Sequence, residues 1–310
     1  MALQVRGSFV ALVTPFDQKG RIDWKCIEKL VAWHIEQGTD GIVCCGATGE
    51  GMTVSEAEKK KMVALCVHVA KNKIPIIVNS GTADTRQSIR LTEQMLKLGA
   101  SGCLIVTPYY NKPTQRGCIR HFSEIAKVGL PVIVYNNPGR TAVRLEAETI
   151  AEMAQIQGIA GYKDSTADID LIRKIRKLCL IPILSGDDDL TYDTLLEGGA
   201  GAISVIGNLF PKEWKSMISS ALDKKWEPAK QIADRFHPLC KAMFLEPNPQ
   251  CIKFAMSWLG KCPGSLRLPL VSTTEKTQAQ IKGLIAALAL PLFGYRSYAK
   301  TGEPRFEDSP

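Results

Sequence analysis

The feature that most constrains this chain is a repeated pattern. Short apolar, β-branched runs recur eight times over its first two-thirds, each followed by a stretch with helical spacing. The runs cover 8–13, 41–45, 74–79, 103–106, 132–135, 159–163, 183–185 and 202–205. Between them, Ile27, Leu30, Val31 and His34, and later Ile89, Met95, Leu96 and Leu98, fall on helix faces, with Gly38 and Gly99 as stops. Strict alternation of strand and helix requires parallel pairing through right-handed crossovers. Eight units exceed the usual open sheet, so the pattern predicts an α/β fold of the closed (β/α)8 TIM barrel type. Gly198-Gly199-Ala200-Gly201 precedes a run instead of following one, which makes it a helix stop and turn, not a phosphate cradle.

From Trp226 the alternation ends and helical patterns remain over 228–243, 249–259 and 275–290. The expected organisation is a barrel over 1–225, a C-terminal helical appendage over 226–292, and a loosely held tail over 293–310.

With 45% hydrophobic residues in 310, the chain can bury a large core. Residues 1–6 lack the pattern of an export signal, and the apolar stretch 284–290 falls far below the roughly 18 residues of a membrane span. The expectation is a cytoplasmic protein with no membrane partner. Ten scattered cysteines, with no C-x-x-C pair and Cys44-Cys45 adjacent in one run, read as reduced thiols. The four histidines lie on different helices without ligand spacing, so no metal is implied. The net charge of +8 has one dense run, Lys59-Lys60-Lys61, behind Glu56 and Glu58; a solvated helix face explains it better than nucleic acid, since no aromatics are interleaved.

In a barrel the carboxyl ends of the strands converge, gathering Thr14, the 46–50 loop, 107–110, 135–140, Lys163, Gly186 and Ile203. This set holds one lysine, several hydroxyls and one arginine. It contains neither the histidine of a hydrolytic triad nor the paired acids of a glycosidase, which leaves amine chemistry on a carbonyl. A lysine ammonium on a barrel floor is costly to desolvate, which favours the free amine that attacks a ketone. A lysine pairing with Asp164 or capping a helix would occupy the same place, and on position alone the two readings stand level. Tyr135 tips the balance: it ends the preceding strand, about 5 Å away, within reach of an imine at Lys163.

These residues resemble the dihydrodipicolinate synthase and N-acetylneuraminate lyase family of lysine-dependent class I aldolases. The resemblance runs through Ala11-Leu12-Val13-Thr14-Pro15-Phe16, Gly46-Ala47-Thr48-Gly49-Glu50, Thr107-Pro108-Tyr109-Tyr110, Tyr135-Asn136-Asn137-Pro138, Gly161-Tyr162-Lys163-Asp164 and Glu246-Pro247-Asn248-Pro249. It implies that Lys163 forms the imine with pyruvate, with no cofactor beyond this covalent link, and that Tyr135 shuttles protons. It further implies that Thr48 and its loop hold the keto-acid carboxylate, that Gly186 and Ile203 line the pyruvate site, and that Glu50 braces the loop. Arg140 matches the synthase branch, implying L-aspartate 4-semialdehyde as acceptor, because a guanidinium binds a carboxylate with two bonds. The implied reaction is the committed step of diaminopimelate and lysine biosynthesis.

The resemblance also implies that Tyr110 enters the site from a neighbouring subunit, in a homotetramer. Where the family carries Thr or Ser, this chain has Ala47, which interrupts a proton relay between the two tyrosines. The expectation is that water or Thr48 bridges the gap, and that Ala47→Thr raises turnover. The alternatives are a paralogous aldolase for a sugar-derived keto acid and a catalytically weak barrel retained for binding.

Overall fold

The computed structural model describes residues 3–288. Eight strands, β1 (Gly7–Ala11), β2 (Gly41–Cys44), β3 (Ile76–Asn79), β4 (Gly102–Val106), β5 (Val132–Asn136), β6 (Ile159–Asp164), β7 (Ile183–Ser185) and β8 (Gly201–Ser204), pair in sequence order. The β1–β8 pair is also parallel and closes the barrel. The expected fold is present, and even the three-residue β7 keeps its forecast ends.

Period-two alternation divides the core into two shells. Phe9, Ile77, Leu104, Ile133, Leu184 and Ile203 belong to one inner cluster. Val43 joins them from β2, and the alternate residues Val10, Ile42, Val78, Ile105 and Val134 belong to the outer cluster, which packs on the helices. Gly161 makes room at the floor of the barrel, where a Cβ would lie 2.7 Å from Val5 Cγ1.

The surrounding helices open on side-chain caps. Asp23 accepts from the Cys26 amide at the start of Trp24–Glu36, and Ser55 with Glu58 forms a capping box at the start of Glu56–Ala70. The lysine run on the latter helix departs from expectation. Lys59 is buried beside Met62, Val63 and Cys66, whereas Lys60 pairs with Glu56 and Lys61 lies 4.3 Å from the centroid of the Trp24 ring. At about 100° per residue, three consecutive side chains cannot share one exposed face.

Beyond the barrel lie Trp226–Ala242, Gln250–Trp258 and Glu275–Ala287. Phe236 meets Phe210 and Trp214 edge-on, with centroids 5.3 and 6.2 Å apart, and so ties the first of them to Pro211–Leu222, the helix after β8. The forecast helix end at 290 and the tail 293–310 lie outside the described residues. All ten cysteines are free, and all but Cys179 are buried. Among the described residues no helix is long and apolar enough to cross a membrane.

Candidate active site

Strand parity decides the fate of Lys163. Its neighbours Tyr162 and Asp164 face outward, where Tyr162 packs in the outer cluster and its hydroxyl donates to Asp164 Oδ1 at 2.5 Å. Asp164 also accepts from the Thr166 amide and hydroxyl at 3.1 and 2.9 Å. Its carboxylate is therefore engaged on the far side of the strand. Burial still pushes the Asp164 carboxyl up, with the Tyr162 and Thr166 hydrogen bonds opposing. Lys163, facing inward and 6% exposed, is left to the barrel cavity.

There it meets Tyr135. The two residues are register partners across β5 and β6, and Lys163 Nζ lies 4.2 Å from the tyrosine ring centroid. The Tyr135 hydroxyl accepts from Asn137 Nδ2 at 2.7 Å and donates to Ser165 Oγ at 3.4 Å. Gly186 follows β7 directly beneath the lysine stem; a Cβ there would lie 2.6 Å from Lys163 Cε and would also strike Ser165 Oγ. Any larger residue would displace the amine.

Around the amine is a cavity of about 50 Å³ lined by Ala47, Thr48, Tyr135, Lys163, Gly186 and Ile203, with Arg140, Ser165, Asp187 and Asn248. A wider hollow of about 350 Å³ adjoins it through Ala47, Tyr135, Arg140 and Asn248, and extends to Tyr109 and Leu270. The inner space is of a size for a molecule of a few heavy atoms, and the outer one for a longer molecule reaching it.

The loop after β2 is held from a distance. Glu50, at φ 50°, pairs with Lys253 Nζ at 2.7 Å, with both side chains essentially inaccessible, and its second oxygen accepts from the Arg267 amide at 3.0 Å. Lys253 also donates to the Thr14 carbonyl at 2.9 Å and to the Ser265 carbonyl. Burial lowers the Lys253 pKa, against the pull of Glu50. Thr14 Oγ1 donates to the Gly49 carbonyl at 2.6 Å. Glu50 is thus a brace, as expected. Thr48 accepts from Asn248 Nδ2 at 3.0 Å, and Arg140 Nη2 donates to the Asn248 carbonyl at 3.1 Å, so one residue of the C-terminal region orders both sides of the opening.

Lys163, Tyr135, Thr48, Ala47, Arg140, Gly186 and Ile203 converge on this cavity, whereas of the remaining strand-end set Tyr109 lines only the wider hollow and Thr14 lines neither. Tyr110 is 94% exposed, at φ 70°, and is absent from the lining of this cavity. The sequence reading overlooked Ser165, Asp187 and the Asn248 side chain. Ser165 was detectable, because position 165 shares strand parity with 163. Burial is the main cause that raises Asp187 to about 6, with the Asp164 charge adding to it and Lys163 and Ser165 opposing. Asp188, fully enclosed, is also raised to about 6 by burial, against hydrogen bonds from Ile206, Ser204 and Val205.

Comparison with known proteins gives a consistent result. The model of the dihydrodipicolinate synthetase family matches residues 4–288. A 4-hydroxy-tetrahydrodipicolinate synthase of Thermodesulfovibrio yellowstonii is 42% identical over 288 residues, 92% of this chain and 99% of that relative. The dihydrodipicolinate synthase of Aquifex aeolicus superposes with a TM-score of 0.90 at 37% identity, covering 92% of this chain and 99% of that one. A chloride-inhibited dihydrodipicolinate synthase from Acinetobacter baumannii, solved with pyruvate, has a TM-score of 0.90 at 39% identity over the same shares of the two chains.

Proposed function

The chain belongs to the dihydrodipicolinate synthetase family, and from that membership we propose that it condenses pyruvate with L-aspartate 4-semialdehyde to give 4-hydroxy-tetrahydrodipicolinate, in diaminopimelate and lysine biosynthesis. The observation that carries this reading is the Lys163 amine, buried and turned away from Asp164, 4.2 Å from the Tyr135 ring centroid in a cavity that also holds Arg140. The amine attacks the pyruvate ketone, and water leaves to form the imine. Loss of a methyl proton gives the enamine, whose carbon attacks the aldehyde. The amine of the semialdehyde then displaces Lys163 and closes a six-membered ring. No cofactor is needed, since the imine itself is the electron sink.

Tyr135 delivers and recovers protons at these steps. The amides of Glu50 and Gly51 are consumed inside the turn, bonding Ala47 and Gly46 carbonyls at 3.0 Å each, so the pyruvate carboxylate falls to the Ala47 and Thr48 part of the loop, against Gly186 and Ile203. Arg140, at the rim shared by both hollows, meets the acceptor carboxylate. In this reading the barrel, 1–225, carries the chemistry, and the 226–292 appendage braces it through Asn248 and Lys253. The exposed Tyr110 supports a site completed between subunits of a homotetramer, which we place in the cytoplasm.

Borohydride reduction with pyruvate, followed by peptide mass spectrometry, should place the adduct on Lys163; a native protein without an adduct rules out the imine. A product assay comparing aspartate semialdehyde with sugar-derived aldehydes then tests the acceptor. Arg140→Lys should raise KM for the semialdehyde roughly 10-fold or more while leaving that for pyruvate within about 3-fold.

A further inference from the structure

We propose that Ser165 is a positioning residue that links the Tyr135 hydroxyl to the Asp187 carboxylate, and that Tyr135, Ser165 and Asp187, with Asn137 orienting the phenol, form a proton relay serving the Lys163 imine. The inference rests on the Schiff-base reading above and adds a route for its protons. In the structure the phenol donates toward Ser165. Asn137 Nδ2 can only donate, so it fills an acceptor site on the Tyr135 oxygen at 2.7 Å and directs the phenolic proton elsewhere. The acceptor of that proton is Ser165 Oγ at 3.4 Å, a length that shortens readily when substrate closes a site. Asp187 lines the same small cavity as Ser165, and the Ser165 hydroxyl acts to hold its carboxyl down.

The surroundings hold this line in place. Ser165 and Asp187 both line the small cavity with Lys163. A side chain at 186 would collide with Ser165 Oγ, so that glycine preserves the approach. Position 47 offers no hydroxyl, and the Thr48 oxygen is held by the Asn248 amide, which donates to it at 3.0 Å. The charges around Asp187 are Asp164, Lys163 and Asp189. With its carboxyl near 6, Asp187 can hold or release a proton close to neutrality.

The steps balance. With Asp187 protonated the hydroxyl hydrogens of Ser165 and Tyr135 are reversed: the neutral carbinolamine takes a proton from Tyr135 as its hydroxyl leaves as water, Ser165 replaces that proton, and Asp187 replaces the one on Ser165. The C–O bond breaks and the nitrogen lone pair forms the C=N bond. When the iminium loses a methyl proton to Tyr135, the line runs in the observed direction, from Tyr135 to Ser165 to Asp187, and Asp187 is protonated again. The pyruvate half-reaction thus consumes no net proton.

The test uses pyruvate alone: exchange of its methyl protons in D2O, followed by NMR in the full-length protein. Ser165→Ala should slow exchange at saturating pyruvate by about 10- to 100-fold while the half-saturating concentration moves less than about 3-fold, and should abolish the limb near pH 6 in the native rate profile. Ser165→Thr, which keeps the hydroxyl, should stay within about 5-fold of native. Asp187→Asn probes the far end independently of folding effects at 165 and should lose the same limb. Native-like exchange in Ser165→Ala, or an unchanged pH limb in either Ser165→Ala or Asp187→Asn, overturns the relay. Absence of the borohydride adduct in the native protein would instead overturn the imine reading itself.

Discussion

Lys163 and Asp164 are adjacent in sequence and opposite in fate, because one residue along a strand reverses the face a side chain presents. The reading of Lys163 as a mere ion-pair partner fails for that reason: the Asp164 carboxylate is held by Tyr162 and Thr166 on the outer face. The same parity places Ser165 beside Tyr135, which alters what Ala47 means. A missing hydroxyl at 47 interrupts proton supply only if Tyr135 has no other route, and Ser165 stands 3.4 Å from it. Contrary to the expectation from sequence, Ala47→Thr should therefore change kcat for product formation by less than about 3-fold, whereas a gain approaching 100-fold, the scale of one restored proton-transfer group, would show that Ser165 does not substitute.

Among the elements, the strands were the most legible in the sequence, since period-two alternation and β-branched runs are local signals. The supports of the 46–51 loop were not legible, because no local pattern says that Glu50 will meet Lys253 and Arg267. Long-range polar contacts leave no periodicity. The buried Glu50–Lys253 pair makes a sharp prediction for this loop. Lys253→Met leaves an enclosed carboxylate without its counter-charge and should cost about 3–5 kcal/mol of unfolding free energy in urea titrations. The double variant Glu50→Gln with Lys253→Met should recover part of that loss. If the single change costs less than about 1 kcal/mol, the pair is not buried as described.

For the whole molecule, acid stability follows from histidines that the fold keeps neutral. Burial, partly opposed by Asp84, holds His121 at about 4 against an ordinary 6.5, and burial takes His34 to about 3. Both pKa values are depressed relative to the unfolded chain, so their contribution is present above pH 6.5 and is lost as pH falls toward 4. Asp187 and Asp188, raised to about 6, act in the opposite sense between about 6 and 3.8. A difference measurement cancels that opposition. Between pH 7 and 5 the native protein should lose about 2 kcal/mol more than His121→Gln, whose side chain can keep the 2.9 Å contact to Thr85. Parallel curves would show that His121 is not kept neutral. The brace on Glu50 also bears on how the chain is made. Its two carboxylate oxygens are taken up by residues 203 and 217 positions further on. A ribosome emitting this protein therefore exposes the loop long before its partners exist, and the pyruvate end of the barrel is among the last parts to be set, so a nascent chain stalled before Lys253 would have its strands and no working mouth.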